Sequence, residues 1–218
     1  MSEQKSAQRS NFSVLIAALG LLALLLVGGY RVSVASGAMR ALTVLMLVMY
    51  GTWILAEFRI TTSEASKDTS RDRHTCETYA IARSLTVLAA FGFAPLWSSV
   101  GVWLPVGLAL FIGGVVLRSW AIFTLGRSYS HRVRTPADSA IVSCGPYRHL
   151  RHPAYSGMLL AHVGLAVLFY NWFVLVALLA VFLPALVRRI RVEEQHLLAI
   201  PDYRAFATHR ARLAPGVW

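Results

Sequence analysis

Two clusters of polar and charged residues, separated by a long apolar stretch, carry the side chains best suited to chemistry. The first runs from Gly145 to Tyr155 with the sequence GPYRHLRHPAY, and the second runs from Arg188 to Glu194 with the sequence RRIRVEE. A bilayer penalises charges in its interior, so rings and charges that gather at one membrane face indicate a binding site for a polar ligand there. The pairing of the two clusters therefore favours a membrane enzyme.

The first cluster has the features of a turn that leads into a helix. Gly145 and Pro146 form a turn signal, and Pro153 suits the first turn of a new apolar helix. This places His152 at or near the N-cap, where free backbone N–H groups attract an anionic or acceptor-rich ligand. Tyr155 lies in the first turn, where it either faces that ligand or anchors the helix at the membrane interface.

The second cluster places opposite charges on one helix face. Arg189 and Glu193 are four residues apart, so their side chains lie on the same side of a helix. Together they suit a zwitterionic ligand with an amino-acid head and an anionic second substrate. The alternative is a simple ion pair at the interface, which contributes less than about 1 kcal/mol. Arg188 and Glu194 point about 100° away from this face.

The composition of the chain indicates a lipid-embedded protein. Of the 218 residues, 56% are hydrophobic and 14% are charged, whereas a soluble domain carries about 25% charged residues. We expect an all-α, polytopic integral membrane protein, because a helix needs about 20 apolar residues to cross a bilayer. The predicted helices cover residues 12–30, 38–58, 81–97, 102–123, 153–170 and 173–191, the last with a kink at Pro184. The last two form a hairpin of near-minimal length, so we expect five or six spans.

The distribution of basic residues predicts the orientation of these spans. With the N-terminus inside, only Arg31 and Arg40 fall outside, and cytosolic segments of membrane proteins are enriched in Lys and Arg. We therefore expect both termini and the active site on the cytosolic face. The expected organisation is a region of four spans over residues 1–123, with a cytosolic loop at about 61–80, followed by a catalytic region over residues 124–218. That second region comprises a loop, the helical hairpin and a cytosolic tail.

Several other functions are disfavoured by the sequence. The net charge of +11 reflects the basic cytosolic face of a membrane protein, and without a zinc-finger spacing we expect no nucleic-acid partner. Cys76 and Cys144 are expected to be free thiols in cytosolic loops, where disulfides are rare. We expect no metal site, because no set of ligands at metal-binding spacing stands out.

A longer pattern joins the two clusters. It consists of Leu125-Gly126, Gly145-Pro146-Tyr147, Arg151-His152-Pro153-Ala154-Tyr155-Ser156-Gly157, Arg189, Glu193-Glu194, Leu197 and Tyr203. This pattern resembles the isoprenylcysteine carboxyl methyltransferase family, and the related phospholipid N-methyltransferases share its Arg-His-Pro-x-Tyr-x-Gly and Glu-Glu elements. The resemblance implies a membrane methyltransferase that binds S-adenosylmethionine in a non-Rossmann pocket. In agreement, no Gly-x-Gly-x-x-Gly motif follows a strand here.

The resemblance also implies roles for the matching residues. Arg189 would be the catalytic residue that binds the carboxylate of the methyl acceptor, with Glu194 as a further substrate contact. A carboxylate is already ionised at pH 7, so it needs alignment with the sulfonium methyl group rather than a base. The implied acceptor is a prenylcysteine-like or other lipophilic carboxylate whose tail enters from the membrane lipids. The residues implied to bind the cofactor are Arg134, Ile141, Val142, Tyr147, His152, Pro153, Ala154, Tyr155 and Glu193.

Three alternatives stay open, as does the oligomeric state. An amine acceptor must lose a proton, so His149, His152 or Glu194 would matter as a base. Membrane sterol reductases resemble the family in their C-terminal halves and use NADPH, although a phosphate-rich cofactor suits cations better than an acidic pair. A non-catalytic membrane protein would place ionisable residues in mid-span. Only His162 clearly falls there, as a pocket-lining or helix-bonding residue.

Overall fold

The described residues fold mainly into helices. A computed structural model describes residues 2–64, 75–97, 101–126, 141–216 and 218. Apart from one isolated bridge between Leu150 and Ala211, these residues contain no strand, which confirms the expected all-α class. The α-helices are α1 (Ser2–Val34), α2 (Gly37–Glu64), α3 (Thr75–Gly92), α4 (Trp103–Leu125), α5 (Pro153–Leu168), α6 (Trp172–Val176), α7 (Leu183–Leu197) and α8 (Pro201–Ala207). A 3-10 turn covers Gly145–Arg148, and a π-helical segment covers Ala177–Phe182.

The third helix differs from its predicted bounds of 81–97. It occupies Thr75–Gly92, because its first turns carry polar residues that face the protein rather than lipid. Hydropathy detects only the apolar part of such a helix. The expected loop at 61–80 was therefore wrong at both ends, since α2 continues to Glu64 and α3 begins at Thr75.

The return arm of the hairpin is continuous from Trp172 to Leu197 but changes its winding in the middle. Between α6 and α7 the chain forms π-helical turns over Ala177–Phe182. Pro184 lies in the first turn of α7 and has no N–H for the carbonyl one turn earlier, and a widened turn accommodates such a break. An irregularity is therefore found where the kink at Pro184 was predicted, in the form of a π-helical segment.

Glycines allow α4 and α5 to pack backbone against backbone. Gly107 faces Gly164 and Gly114 faces Gly157, so the two helices run antiparallel with a glycine pair at two levels. A Cβ atom on Gly114 would collide with the backbone of Ala161 and with the carbonyl of Gly157. Small residues are what permits such close helix contact in lipid, where no hydrophobic force drives helices together. The contact holds the start of α5, which carries the last residues of the first polar cluster, against α4.

Several of these helices suit a membrane. Among the described residues, Gly37–Glu57, Trp103–Leu125 and Trp172–Leu197 are long and apolar enough to cross a bilayer. Ala18–Val34 and Pro153–Leu168 are shorter apolar helices. Leucines, valines and aromatic residues are exposed on their outer faces, as lipid contact requires. The architecture is that of a helical integral membrane protein.

His162 joins helices in the interior of this bundle. Its Nδ1 atom donates to the carbonyl of Met158 at 2.9 Å, and its Nε2 atom lies 3.5 Å from the hydroxyl of Tyr50 on α2. The ring stacks on Phe182, with 4.8 Å between ring centroids. These contacts match the helix-bonding role that the sequence leaves open for this residue.

Candidate active site

Arg189 and Glu193, one turn apart on α7, meet at the hydroxyl of Tyr155. The Nε atom of Arg189 donates a hydrogen bond to that hydroxyl at 2.8 Å, and the hydroxyl donates to Oε2 of Glu193 at 2.7 Å. Arg189 is only 2% exposed, whereas Glu193 is partly exposed. These two hydrogen bonds, here called the Tyr155 bridge, connect a buried cation to an anion nearer the surface. They join three residues of the predicted site.

Three helices position this bridge. Pro153 begins α5, which places Tyr155 in the first turn. Thr75, the first residue of α3, accepts a hydrogen bond from Nη1 of Arg189 at 2.9 Å. The ring of Tyr79, one turn further along α3, meets the ring of Tyr155 edge to face, with 5.8 Å between centroids. The guanidinium is thus held from two sides, which fixes its orientation.

Glu194 belongs to a separate cluster of charges that fastens the C-terminal tail. Its carboxylate, 4% exposed, accepts hydrogen bonds from Arg151 at 3.1 Å and from Arg212 at 2.7 Å. It also lies 3.2 Å from Nε2 of His152. Three basic groups on one carboxylate form a structural clamp, since the buried charge is compensated on several sides. The role of Glu194 as a substrate contact stays a prediction.

The tail also occupies backbone groups at the start of α5. His152 stands at the N-cap, as predicted, but its N–H donates to the carbonyl of Arg212 at 3.1 Å. The N–H of Arg151 donates to the carbonyl of Ala211 at 2.9 Å, and that of Tyr155 donates to the carbonyl of His152 at 3.0 Å. The expectation that the N–H groups at the helix start are free to attract a ligand was wrong for His152 and Tyr155, because the chain supplies their acceptors itself.

Four residues expected to bind the cofactor gather in one apolar cluster. Tyr147 and Ala154 are buried in it, and Ile141 and Val142 pack against it. Pro146 and Pro153, which flank this part of the loop, are buried as well. The loop and the first turn of α5 therefore present one apolar wall. Arg134, which was also expected to contact the cofactor, lies outside the described residues.

Helix α8 completes this cluster with residues that were not among the predicted site residues. Tyr203 and Phe206 are buried in it, with 5.4 Å between their ring centroids. The hydroxyl of Tyr203 is buried and has no hydrogen-bond partner within the described part of the chain. Burial, with smaller contributions from the carboxylates of Glu193 and Glu194, raises the pKa of this phenol, so it stays a hydrogen-bond donor at neutral pH. Tyr203 was part of the longer pattern, which was the signal available for it.

A buried charge cluster joins α2, α3 and α4. Glu57 pairs with Nε of Arg118, accepts from Nη2 of Arg118 at 3.2 Å, and accepts from Arg83 at 3.0 Å. Arg118, 2% exposed, also donates to the carbonyl of Ala154 at 3.1 Å. The expectation that only His162 falls clearly in mid-span was therefore wrong. Arg118 stands alone in an apolar run of the sequence, and its compensation by Glu57 becomes visible only in three dimensions.

The described residues contain no group of three His, Cys, Asp or Glu side chains placed to bind a metal ion. Within the described residues, neither Cys76 nor Cys144 forms a disulfide. Cys144 is exposed in the loop, whereas Cys76 lies in α3 rather than in a loop. These observations leave the Tyr155 bridge and the adjoining apolar cluster as the site with both charge and a hydrophobic wall.

The part of the chain that contains this site resembles known proteins in sequence. Residues 107–199 match the sequence model of the isoprenylcysteine carboxyl methyltransferase (ICMT) family. Protein-S-isoprenylcysteine O-methyltransferase B of Arabidopsis thaliana is 34% identical over 113 residues, which cover 51% of this chain and 57% of that protein. Protein-S-isoprenylcysteine O-methyltransferase of Saccharomyces cerevisiae is 37% identical over 95 residues, which cover 43% of this chain and 40% of that protein. The chain thus spans about half the length of the curated relatives it matches.

The overall architecture also has a counterpart among solved structures. The eukaryotic intramembrane Ras methyltransferase ICMT superposes with a TM-score of 0.51 over 94% of this chain and 77% of that chain, at 20% sequence identity. At this identity the superposition supports a shared fold. The segment that matches in sequence contains both polar clusters and the hairpin between them. Residues 107–199 are therefore similar in sequence to the isoprenylcysteine carboxyl methyltransferase family.

Proposed function

We propose that the protein is an integral membrane methyltransferase that uses S-adenosylmethionine to methylate the carboxylate of a prenylcysteine-like or other lipophilic acceptor. The observation that carries this proposal is the Tyr155 hydroxyl, which joins Arg189 to Glu193 through hydrogen bonds of 2.8 and 2.7 Å. A buried cation suits the acceptor's carboxylate, and a partly exposed anion suits a ligand with a positive charge. The shared hydroxyl keeps the two charges in one fixed relationship.

The residues beside Glu193 fit the cofactor. In this proposal, the carboxylate of Glu193 holds the ammonium group of its amino-acid head. The apolar wall formed by Tyr147, Ile141 and Val142 covers its uncharged part, and the unpartnered hydroxyl of Tyr203 is available to one of its acceptors. When bound, S-adenosylmethionine supplies an electrophilic methyl group on a sulfonium sulfur. His152, Pro153 and Ala154 shape the wall from the start of α5.

Arg189 aligns the acceptor and thereby carries the catalytic role. A carboxylate is ionised at neutral pH, so no side chain has to remove a proton before it reacts. Burial strengthens the attraction between the guanidinium and the carboxylate, and the contacts of Arg189 with Thr75 and Tyr155 limit its motion. Holding the carboxylate in line with the reactive methyl group supplies most of the rate acceleration that this transfer needs.

The same proposal places the protein in the bilayer. Both termini and the active site lie on the cytosolic face, where the cofactor enters, and the acceptor's tail enters sideways between helices from the lipid. Residues 1–123 provide the first spans and residues 124–218 the catalytic region, with five or six spans in total. The positive-inside rule and the apolar outer faces of the helices support this arrangement.

Methyl transfer to a defined acceptor tests the function. Detergent-purified protein is incubated with methyl-tritiated S-adenosylmethionine and N-acetyl-S-farnesylcysteine, and the transferred label is measured before and after treatment with base. We expect label that base releases as methanol, because a methyl ester hydrolyses, and no transfer to the corresponding carboxamide. Base-stable label on added phosphatidylethanolamine, with none on the carboxylate acceptor, would show an N-methyltransferase instead. Thermal stabilisation by NADPH but not by S-adenosylhomocysteine would overturn the proposal in favour of a reductase.

A further inference from the structure

One face of α3, which lies outside the segment matched to the family, borders the proposed site. It adds to the apolar wall of the loop and to the charged residues of α7. Thr75, Tyr79 and Arg83 follow one another at intervals of one turn. Thr75 accepts from Arg189 at 2.9 Å, the ring of Tyr79 lies against that of Tyr155, and Arg83 donates to Glu57 at 3.0 Å. Tyr79 therefore stands between the Tyr155 bridge and the buried charge cluster.

Two hydrogen-bond donors on this face have no partner. The hydroxyl of Tyr79, on a residue that is 7% exposed, and the Nε atom of Arg83 are both buried and unpartnered within the described part of the chain. Buried polar groups almost always have a partner, because leaving one unsatisfied is costly. Two unsatisfied donors one turn apart indicate that an acceptor from beyond the described residues completes them.

The charge around these donors specifies the kind of acceptor. Glu57 is one carboxylate between the guanidinium groups of Arg83 and Arg118, and Arg189 adds a further cation near Thr75. Guanidinium groups and a phenol offer donors to an anion. An ionised carboxylate only accepts hydrogen bonds and can accept several at once. It therefore suits a site lined by guanidinium and phenol donors.

We propose that the Tyr79 hydroxyl donates a hydrogen bond to the acceptor's carboxylate, opposite Arg189, and that Arg83 Nε adds a second donor beside it. This inference rests on the proposed function and deepens it. It assigns recognition of the carboxylate to α3 as well as to the hairpin. Tyr79 is accordingly a substrate-binding residue that holds one oxygen of the carboxylate while Arg189 holds the group from the other side.

The variant Tyr79→Phe tests this assignment, because it removes only the hydroxyl. We expect the KM for N-acetyl-S-farnesylcysteine to rise about tenfold or more, as for loss of a hydrogen bond to a charged group. The Kd for S-adenosylmethionine should be unchanged. The melting temperature should be unchanged or higher, since an unpartnered buried hydroxyl is removed. N-Acetyl-S-farnesylcysteamine, which lacks the carboxyl group altogether, should as a competitive inhibitor bind the variant and the wild type equally.

Tyr50→Phe is the matched control. Its hydroxyl is also buried but lies 3.5 Å from Nε2 of His162, so its removal should lower the melting temperature and leave the acceptor's KM unchanged. An unchanged KM in Tyr79→Phe, with or without a lower melting temperature, would overturn the assignment in a wild type that forms the methyl ester. A wild type that forms no methyl ester would overturn the proposed function itself, so the two failures are separable.

Discussion

The Nε atom of Arg189 donates a hydrogen bond to the hydroxyl of Tyr155, 2.8 Å away. That hydroxyl in turn donates a hydrogen bond to Glu193 at 2.7 Å, so one phenol contacts both a buried cation and a more exposed anion. Hydrogen bonds in such a chain polarise one another and hold the two charges in a fixed relationship. Loss of the hydroxyl should therefore affect both ends of the site.

Tyr155→Phe should weaken cofactor and acceptor binding together. It removes two charge-assisted hydrogen bonds, each of which contributes about 1.5–3 kcal/mol. We expect the Kd for S-adenosylmethionine, from calorimetry, and the KM for the prenylcysteine acceptor, from initial rates, each to rise about tenfold or more. Tyr170→Phe, on a tyrosine stacked on Trp97 away from the site, is the control. A rise in only one of the two constants would show that the bridge does not couple them.

Gly114→Ala should destabilise the protein strongly for a single added methyl group. The new Cβ would meet the backbone of α5 at Ala161 and Gly157, which cannot move aside as a side chain can. Overpacking of this kind costs about 1–3 kcal/mol, so the melting temperature in detergent should fall by several degrees. Gly113→Ala is the matched control, because its Cβ would lie an ordinary 3.9 Å from Leu160. Equal melting temperatures for the two variants would contradict the backbone packing.

Glu57→Gln should destabilise the bundle while preserving side-chain shape. The substitution leaves the guanidinium groups of Arg83 and Arg118 without their shared carboxylate, and breaking a buried ion pair costs about 3–5 kcal/mol. Thermal unfolding in detergent measures the effect. Asp202→Asn, on an exposed acidic residue of α8, should leave the melting temperature unchanged. If both variants melt at the same temperature, the charge cluster of Glu57, Arg83 and Arg118 does not hold α2, α3 and α4 together.

Arg212→Ala should loosen the C-terminal tail. Arg212 donates to Glu194 at 2.7 Å and its guanidinium lies 4.8 Å from the ring centroid of Trp218, so its removal detaches the tail at two points. Limited trypsin digestion followed by mass spectrometry should show faster cleavage after Arg210. Arg188→Ala changes an exposed arginine on α7 and should digest like the wild type. Wild-type digestion rates in Arg212→Ala would mean that backbone hydrogen bonds alone secure the tail.

The sequence predicted those parts of the site that depend on local spacing. Arg189 and Glu193 share a face because they are one helical turn apart, and Pro153 determines where α5 begins and thus where Tyr155 lies. The meeting of these three residues required only that the two arms of the hairpin pack together. The all-α class followed from hydropathy in the same way.

Other parts of the site depend on contacts distant in sequence. Thr75 and Tyr79 reach Tyr155 and Arg189 from a helix whose first turns hydropathy assigned to a loop. Arg118 appears in the sequence as an isolated charge in an apolar run, since a window of hydropathy averages it with its neighbours, and its pairing with Glu57 joins two distant helices. The glycine pairs of α4 and α5 were visible as glycines seven residues apart, but which face they occupied depended on the partner helix.

The most direct test of the site is a calorimetric titration of S-adenosylmethionine into the detergent-purified wild type, Glu193→Ala and Arg189→Gln. Glu193 is assigned to the cofactor and Arg189 to the acceptor's carboxylate. We therefore expect binding to the wild type, a large loss of affinity in Glu193→Ala, and retained affinity in Arg189→Gln, which should nonetheless fail to methylate the acceptor. Absence of binding to the wild type, or equal loss in both variants, would contradict this division of roles.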